Sequence, residues 1–127
     1  MSAALAVNAY RQVAKQGVSD ENLLVLGLDG ILEYLRRARV GITERDVALK
    51  APAMTKAYQI VEHLMAALPT PEESPDAPLR TRLDGIYRFL LERLAQANIF
   101  DDLQALDECK DVVLALRESW IEGLQQA

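Results

Sequence analysis

The chain has 127 residues and a formal net charge of −5, and 50% of it is hydrophobic although only 6% is aromatic. Leucine and alanine supply 20 and 18 positions, and such helix formers with so few aromatic residues argue against an all-β sandwich or barrel. The acidic balance argues against nucleic acid as a partner, because neutralising phosphates needs a basic face. A single cysteine cannot form an internal disulfide, so the fold does not depend on an oxidising compartment.

The first 18 residues read as an N-terminal arm or a short extra helix. They show no positive start followed by a compact apolar run, so they do not resemble a secretory signal. The longest apolar stretches along the chain, such as 23–28, are far shorter than the ~20 residues that cross a bilayer. We therefore expect a cytoplasmic protein without membrane insertion.

A first amphipathic helix is predicted from about Glu21 to Val40. Ser19 and Asp20 offer N-cap oxygens, and Gly41 is the expected C′ residue. Gly27 and Gly30 lie inside this helix, where we expect them to permit close approach of another helix. Steps of three and four residues define the apolar stripe of this helix: Leu24, Leu28, Ile31, Leu35 and Ala38.

A second helix is predicted from Thr43 or Asp46 to Leu68. Thr43 and Asp46 resemble a capping box with aspartate in the glutamate position. Pro52 predicts a kink, or a short helix followed by a longer one, because proline removes an internal hydrogen bond. The apolar stripe comprises Met54, Ala57, Tyr58, Val61, Met65 and Leu68.

The segment 69–78 holds four prolines and three acidic residues, so it reads as a connection that cannot bury itself. We do not expect a domain boundary here, because neither flanking half has enough amphipathic surface to close a core alone. The chain is thus predicted to be one helical-bundle domain spanning 1–127.

Two further helices are predicted, from Leu79 to about Asn98 and from Leu103 to Gly123, with Asp101 or Asp102 as the cap of the last. Their stripes comprise Leu79, Leu83, Ile86, Leu90, Leu94 and Ala97, then Leu106, Cys109, Val113, Leu116, Trp120 and Leu124. Four long helices with mostly short connections predict an all-α antiparallel four-helix bundle.

The net charge is concentrated in residues 101–127, which carry seven acidic and two basic side chains, whereas residues 1–100 are neutral overall. This pattern has two interpretations. It is typical of a solvated helix face, and it also fits a docking surface for a basic partner.

The sequence shows no enzyme signature, no cofactor motif and no metal motif. One histidine and one cysteine exclude a three-histidine metal site, and no glycine-rich phosphate loop or nucleophile elbow is present. Cys109 is expected to be a buried structural thiol. His63 on a four-helix bundle leaves a histidine-phosphotransfer function as an alternative, although its neighbours Leu64 to Ala67 lack the lysine and glycine of the His-x-x-Lys-Gly pattern of such domains.

Four stretches in order carry a family resemblance: Asn8-Ala9-Tyr10-Arg11-Gln12-Val13, Leu23 to Gly30, Ile86 to Asn98 with Asp102, and Leu106 to Trp120 with its Arg117-x-x-Trp120 step. Together they resemble the flagellin export chaperone family (FliS). The run before the first helix departs from the family's Pro and Glu, and Gly27-Leu28 stands where the family has Leu-Tyr before Asp-Gly.

The resemblance implies a cytoplasmic binding protein of bacterial flagellum biogenesis, not an enzyme. Such a chaperone binds the disordered C-terminal segment of flagellin, prevents its premature polymerisation and delivers it to the gate of the flagellar type III secretion system. The implied partners are that flagellin segment and the cytoplasmic domain of an export-gate membrane protein. The formation of a homodimer is a further possibility that the resemblance leaves open.

Apolar residues remain beyond those that the core stripes need, and some are expected to line exposed cargo grooves. In the family, the N-terminal arm can cover part of the cargo site and move aside. The predicted cargo-binding residues are Tyr10, Val13, Leu23, Leu26, Ile60, Leu64, Tyr87, Phe89 and Leu91.

Overall fold

The computed structural model describes residues 20–70, 72 and 77–126, and side chains from Leu23 onward apart from those of residues 124 and 126. The predicted N-terminal arm, most of the proline-rich segment and the side chain of Leu124 lie outside this description. Within it the chain forms four helices and no strand, which confirms the predicted fold class. The helices are α1 (Asp20–Thr43), α2 (Val47–Ala66), α3 (Ala77–Phe100) and α4 (Leu103–Gln126).

The helices pack in a ring, in which α1 and α3 each contact both α2 and α4. Three residues join α1 to α2 and two join α3 to α4, and such short turns require the joined helices to run antiparallel. The α3 helix begins at Ala77, two residues earlier than predicted, and takes Pro78 into its first turn, where a missing N–H costs nothing. No helix in the described ranges is both long and apolar enough to span a bilayer.

The predicted stripes form most of the core. All five stripe residues of α1 are buried, as are the five described stripe residues of α4. In α3 the prediction placed Ile86 in the core, but its neighbour Tyr87 is buried there instead. Tyr87 is 0% exposed, while Ile86 is only partly buried. Both follow Leu83 by an allowed helical step, and the rotation of α3 about its axis decides between them. Tyr58 and Met65 of α2 are also only partly buried, as is Leu68, which lies two residues beyond the end of α2 rather than inside it as predicted.

At the turn between α1 and α2, the observed helix ends differ from the predicted ones. Gly41 lies inside α1 rather than at C′, which is Arg45 with a φ of 56°. The Asp46 N–H donates to the Gly41 carbonyl at 2.7 Å and the Arg45 N–H to that of Ile42 at 3.2 Å, the two bonds of a Schellman motif. Thr43 ends α1 and does not cap α2.

The N-cap of α2 is Asp46, whose Oδ1 accepts from the Leu49 N–H at 3.2 Å. The helix continues through Pro52 without interruption, so the alternative of a short helix followed by a longer one is wrong. The kink at Pro52 stays a prediction. The turn between α3 and α4 repeats the first one: Asp101 has a φ of 52°. Asp102 then caps α4, as predicted, because its Oδ1 accepts from the Ala105 N–H at 3.1 Å. That hydrogen bond lowers the pKa of Asp102.

Cys109 is fully buried, as predicted, and its Sγ lies 3.9 Å from the Leu90 carbonyl oxygen. Burial raises the pKa of its thiol from 9.0 to about 12. The stability that this neutral thiol contributes is therefore complete below pH 9 and is lost as the pH rises towards 12.

The same burial predicts a protected thiol. At pH 8 we expect a thiol reagent to label the folded chain on the order of 1,000-fold more slowly than the chain unfolded in denaturant, because the thiolate is the reactive form and its fraction falls by that factor. Equal labelling rates in the two states would contradict a buried Cys109.

Candidate binding surfaces

Helices α1 and α2 approach closely at two glycines. A Cβ atom added at Gly30 would lie 3.1 Å from Ile60 Cδ1, and one added at Gly27 would lie 3.4 Å from Leu64 Cδ2. Ile60 and Leu64 therefore rest on the glycine backbone and are partly buried. The prediction of close helix approach is confirmed at Gly30, whereas a Cβ at Gly27 would make an ordinary van der Waals contact.

Two exposed leucines extend this contact onto the surface. Leu23 is 50% exposed and Leu26 is 65% exposed. They lie one helical turn before Gly27 and Gly30, on the side of α1 that faces Ile60 and Leu64. The α1/α2 face, defined as Leu23, Leu26, Ile60 and Leu64, thus brings together four of the nine predicted cargo residues.

Phe89 lies on another side of the bundle. It is 39% exposed and lines a groove between α3 and α4. This groove has a volume of about 320 Å³ and its lining is Arg82, Gly85, Ile86, Phe89 and Val112. The α3/α4 groove therefore contains one predicted cargo residue and two apolar neighbours, Ile86 and Val112.

Two further predicted cargo residues, Tyr87 and Leu91, do not join either surface. Tyr87 lies in the core with no exposed area, so its assignment to a surface groove is wrong for this structure. Leu91 is partly buried against the core. It precedes Ala95 by one turn, on the side of α3 that lines a groove with α2. Tyr10 and Val13 lie outside the described residues.

A third surface, the α1/α4 groove, was missed from the sequence. It has a volume of about 390 Å³ and a mostly apolar lining. Leu35 and Leu106 form its floor, Leu32 is partly buried and Leu114 is 43% exposed. Leu32 and Leu114 are apolar residues outside the core stripes. The same signal that indicated the other surfaces, apolar residues beyond those the core needs, was therefore present for this groove.

Two ion pairs between helices lie at the ends of the α1/α4 groove. Arg117 Nε is 2.5 Å from Asp29 Oδ1, and Arg39 Nη1 is 2.5 Å from Asp107 Oδ1. Asp29 and Arg117 belong to two of the stretches that carry the family resemblance. Their contact shows that these distant stretches meet in the folded chain.

Three of the seven acidic residues of the last segment form ion pairs with other helices. Asp107 pairs with Arg39, Glu108 Oε2 lies 3.1 Å from Arg93 Nε, and Asp101 pairs with Lys50. Asp102 caps α4. The other three, Asp111, Glu118 and Glu122, are exposed and form no ion pair within the described residues. This arrangement favours the interpretation as a solvated helix face over a docking surface for a basic partner.

His63 is an exposed residue in the last turn of α2. Its side chain therefore projects from the surface, and its carbonyl oxygen accepts from the Ala67 N–H at 3.0 Å. Across the described residues, no group of three or more His, Cys, Asp or Glu side chains is placed to hold a metal ion.

Comparison with known proteins agrees with this architecture. The chain matches the family model "Flagellar protein FliS" over residues 2–127. It is 31% identical to the flagellar secretion chaperone FliS of Salmonella typhimurium over 125 residues, which cover 94% of this chain and 90% of that protein. It is 31% identical to the Escherichia coli protein of the same name over 129 residues, covering 98% and 93%. It is 32% identical to the flagellar secretion chaperone FliSB of Pseudomonas aeruginosa over 124 residues, covering 94% and 96%. The chain belongs to the FliS family.

Proposed function

We propose that this protein is a cytoplasmic export chaperone that binds the disordered C-terminal segment of flagellin and delivers it to the flagellar type III export gate. Relatives across nearly the whole chain are named flagellar secretion chaperones, which supports a binding role rather than catalysis. The observation that carries the proposal is the exposure of large apolar side chains, among them Leu23, Leu26 and Phe89, on a bundle that already has a buried core.

The placement of these side chains suits an extended ligand. The α1/α2 face and the α3/α4 groove lie on opposite pairs of helices, so a compact ligand at one surface cannot cover the other. A disordered segment that folds as it binds can lay short amphipathic helices into both, because such segments wrap large surfaces. Apolar residues of flagellin held in this way are unavailable for contacts between flagellin subunits.

A polymerisation assay tests this role. Purified flagellin is mixed with increasing amounts of the chaperone, and polymerisation is started with seeds. Light scattering then follows filament growth. We expect the scattering increase to disappear near one chaperone per flagellin. Flagellin truncated at its C-terminus is the control for binding, and an unchanged polymerisation rate at excess chaperone would contradict the proposal.

Phe89 gives a more local prediction. Replacement of Phe89 by aspartate should weaken flagellin binding at least about tenfold, since it puts a charge where an apolar contact forms. Folding should suffer less, because the ring is already 39% exposed. Calorimetry gives the affinity and thermal denaturation gives the stability. A collapse of stability that precedes any loss of binding would place Phe89 in the core.

Delivery to the export gate is the second half of the proposal. The expected partner is the cytoplasmic domain of an export-gate membrane protein, which should bind the chaperone–flagellin complex. Co-elution of the three proteins in size-exclusion chromatography measures this step and also reports whether the free chaperone is a homodimer. If the gate domain is absent from the peak of the complex, the chaperone binds flagellin but does not deliver it to the gate, and this half of the proposal is wrong.

The alternative of histidine phosphotransfer is less well supported, because the relatives are named chaperones. We expect no phosphate on His63 after incubation with a phosphodonor kinase, with His63→Ala as the control. Phosphate that is incorporated into the wild-type chain but not into His63→Ala would support this alternative.

A further inference from the structure

We infer that Gly27 determines which flagellin segment this chain prefers. The missing side chain of Gly27 leaves a space at the surface of α1, and this space selects for one large apolar side chain in the bound segment. The role rests on the proposed function, because the segment belongs to flagellin. It goes beyond that function by naming the residue that discriminates between cargo segments and the chemistry that it selects.

The backbone of α1 does not require glycine at position 27. Gly27 lies in the interior of α1 (Asp20–Thr43), and its φ is outside the left-handed region, so any residue can adopt its conformation. Alanine there would have the better helix propensity, because glycine in a helix interior loses more conformational freedom on folding. The stability of α1 therefore gives no reason for a glycine at this position.

The packing of α1 against α2 does not require this glycine either. A Cβ built at Gly27 would lie 3.4 Å from Leu64 Cδ2 and 3.6 Å from Ile60 Cγ2, and both are ordinary contact distances. Gly30 differs, because a Cβ there would lie 3.1 Å from Ile60 Cδ1 and the neighbour would have to move. Close approach of the two helices thus explains Gly30 and leaves Gly27 without a structural role.

The surroundings of Gly27 indicate a contact with another chain. Gly27 is half-buried, and Leu23 and Leu26, one turn before it and directly beside it, are each at least half exposed. Leu64 borders the space from α2. Glycine is favoured where a ligand comes close to the backbone. A partner side chain that enters the space removes apolar area of these leucines from water.

The chemistry of the space sets the size and polarity of the side chain that it selects. Leucine side chains and the α1 backbone surround it, so a polar group would lose its hydration there without a replacement. A small side chain would leave a cavity. We therefore expect the preferred segment to carry leucine, isoleucine, methionine or phenylalanine where it meets Gly27.

The test compares affinity with stability in the full-length chain. Calorimetry with the synthetic C-terminal segment of flagellin from the same organism gives the affinity of the wild-type chain, Gly27→Ala and Gly27→Leu, and urea denaturation gives their stability. Gly27→Leu introduces the residue that the family pattern has at this position. Ala115→Gly is the matched control, because it makes the opposite exchange at an exposed position of α4.

Stability and affinity should change in opposite directions. Gly27→Ala should raise the folding equilibrium constant by up to about fivefold through helix propensity, and it should weaken segment binding about fivefold because the methyl group overfills the contact. Gly27→Leu should weaken binding at least about tenfold. Ala115→Gly should lower the stability and change the affinity less than about twofold. A purely structural role of Gly27 would not combine higher stability with weaker binding.

An exchange of size between the two chains identifies the selected side chain. Segments in which one large apolar residue at a time is replaced by alanine are titrated into the wild-type chain and into Gly27→Leu. At one position, the replacement should weaken binding to the wild-type chain about tenfold and strengthen binding to Gly27→Leu relative to the unchanged segment. Such coupling requires direct contact between that residue and position 27.

The contradicting outcomes separate the two proposals. If the wild-type chain binds the segment and both Gly27 variants bind it equally well, the inference is wrong and the proposed function stands. The inference is also wrong if no alanine replacement in the segment couples to Gly27→Leu. If the wild-type chain does not bind the segment, both are wrong. If urea denaturation shows that Gly27→Leu is unfolded, Gly27→Ala takes its place in the exchange of size.

Discussion

Replacement of Tyr87 by alanine is expected to lower the free energy of unfolding by about 3–5 kcal/mol, the cost typical of removing a buried aromatic ring. Tyr87 is the largest fully buried side chain of the described core. Its removal leaves a cavity that the packed helices close only in part, since Tyr87 belongs to one core cluster with buried leucines and alanines. Urea denaturation followed by circular dichroism measures the change.

The control for Tyr87 lies two positions along the same helix. Phe89→Ala removes a ring of similar size that is 39% exposed, so we expect it to cost no more than about 1 kcal/mol. The two variants thus separate burial from aromatic character. Equal costs for both would mean that α3 is rotated relative to the structure described above.

A methyl group at Gly41 should have the second large effect. The Cβ of alanine at this position would lie 2.6 Å from the backbone nitrogen and 2.8 Å from the Cα of Lys50. Neither atom can move unless the start of α2 moves with it. We expect Gly41→Ala to lower the free energy of unfolding by about 1–3 kcal/mol, because overpacking outweighs the better helix propensity of alanine.

Gly85→Ala is the matched control for this prediction. Apart from the nearby backbone of its own helix, no atom lies within 4 Å of a Cβ built at Gly85, which is also inside a helix. Here helix propensity acts alone and should raise the free energy of unfolding by up to about 1 kcal/mol. Urea denaturation of both variants should therefore give changes of opposite sign. A stabilised Gly41→Ala variant would contradict the close approach of α1 and α2.

Local rules predicted the helices and most of the core. The stripe from Leu24 to Ala38 is buried because a period of 3.6 residues places it on one side of α1. Asp102 caps α4 through its own side chain and the third residue after it. Such features depend on neighbours within one or two turns, so the sequence contains what is needed to find them.

Features that depend on how the helices meet were not predictable in this way. Tyr87 and Ile86 both fit the α3 stripe, and only the rotation of α3 against its neighbours buries Tyr87. Gly41 was expected to end a helix, but its role is set by Lys50 on the next helix. The predicted cargo residues divide between surfaces for the same reason. Helical spacing shows which residues share one side of a helix, but it does not show which other helix packs beside that side.

The family stretches gain a physical explanation from these contacts. Asp29 follows the leucines of α1 and pairs with Arg117 of α4, while Arg93 of α3 pairs with Glu108 of α4. The Nζ of Lys50 donates to the Asn98 carbonyl oxygen at 2.8 Å. Residues recognised separately along the sequence thus hold neighbouring helices in register.

The most direct test of the proposed function is calorimetric titration of the full-length chain with the C-terminal segment of its own flagellin. We expect saturable binding of one segment per chain and a negative heat-capacity change, since apolar surface is buried as the segment folds. An equally long segment from the N-terminal end of the same flagellin is the control. No heat and no amide chemical shift change at high micromolar concentrations of the C-terminal segment would contradict the proposal that this FliS-family protein is a flagellin chaperone.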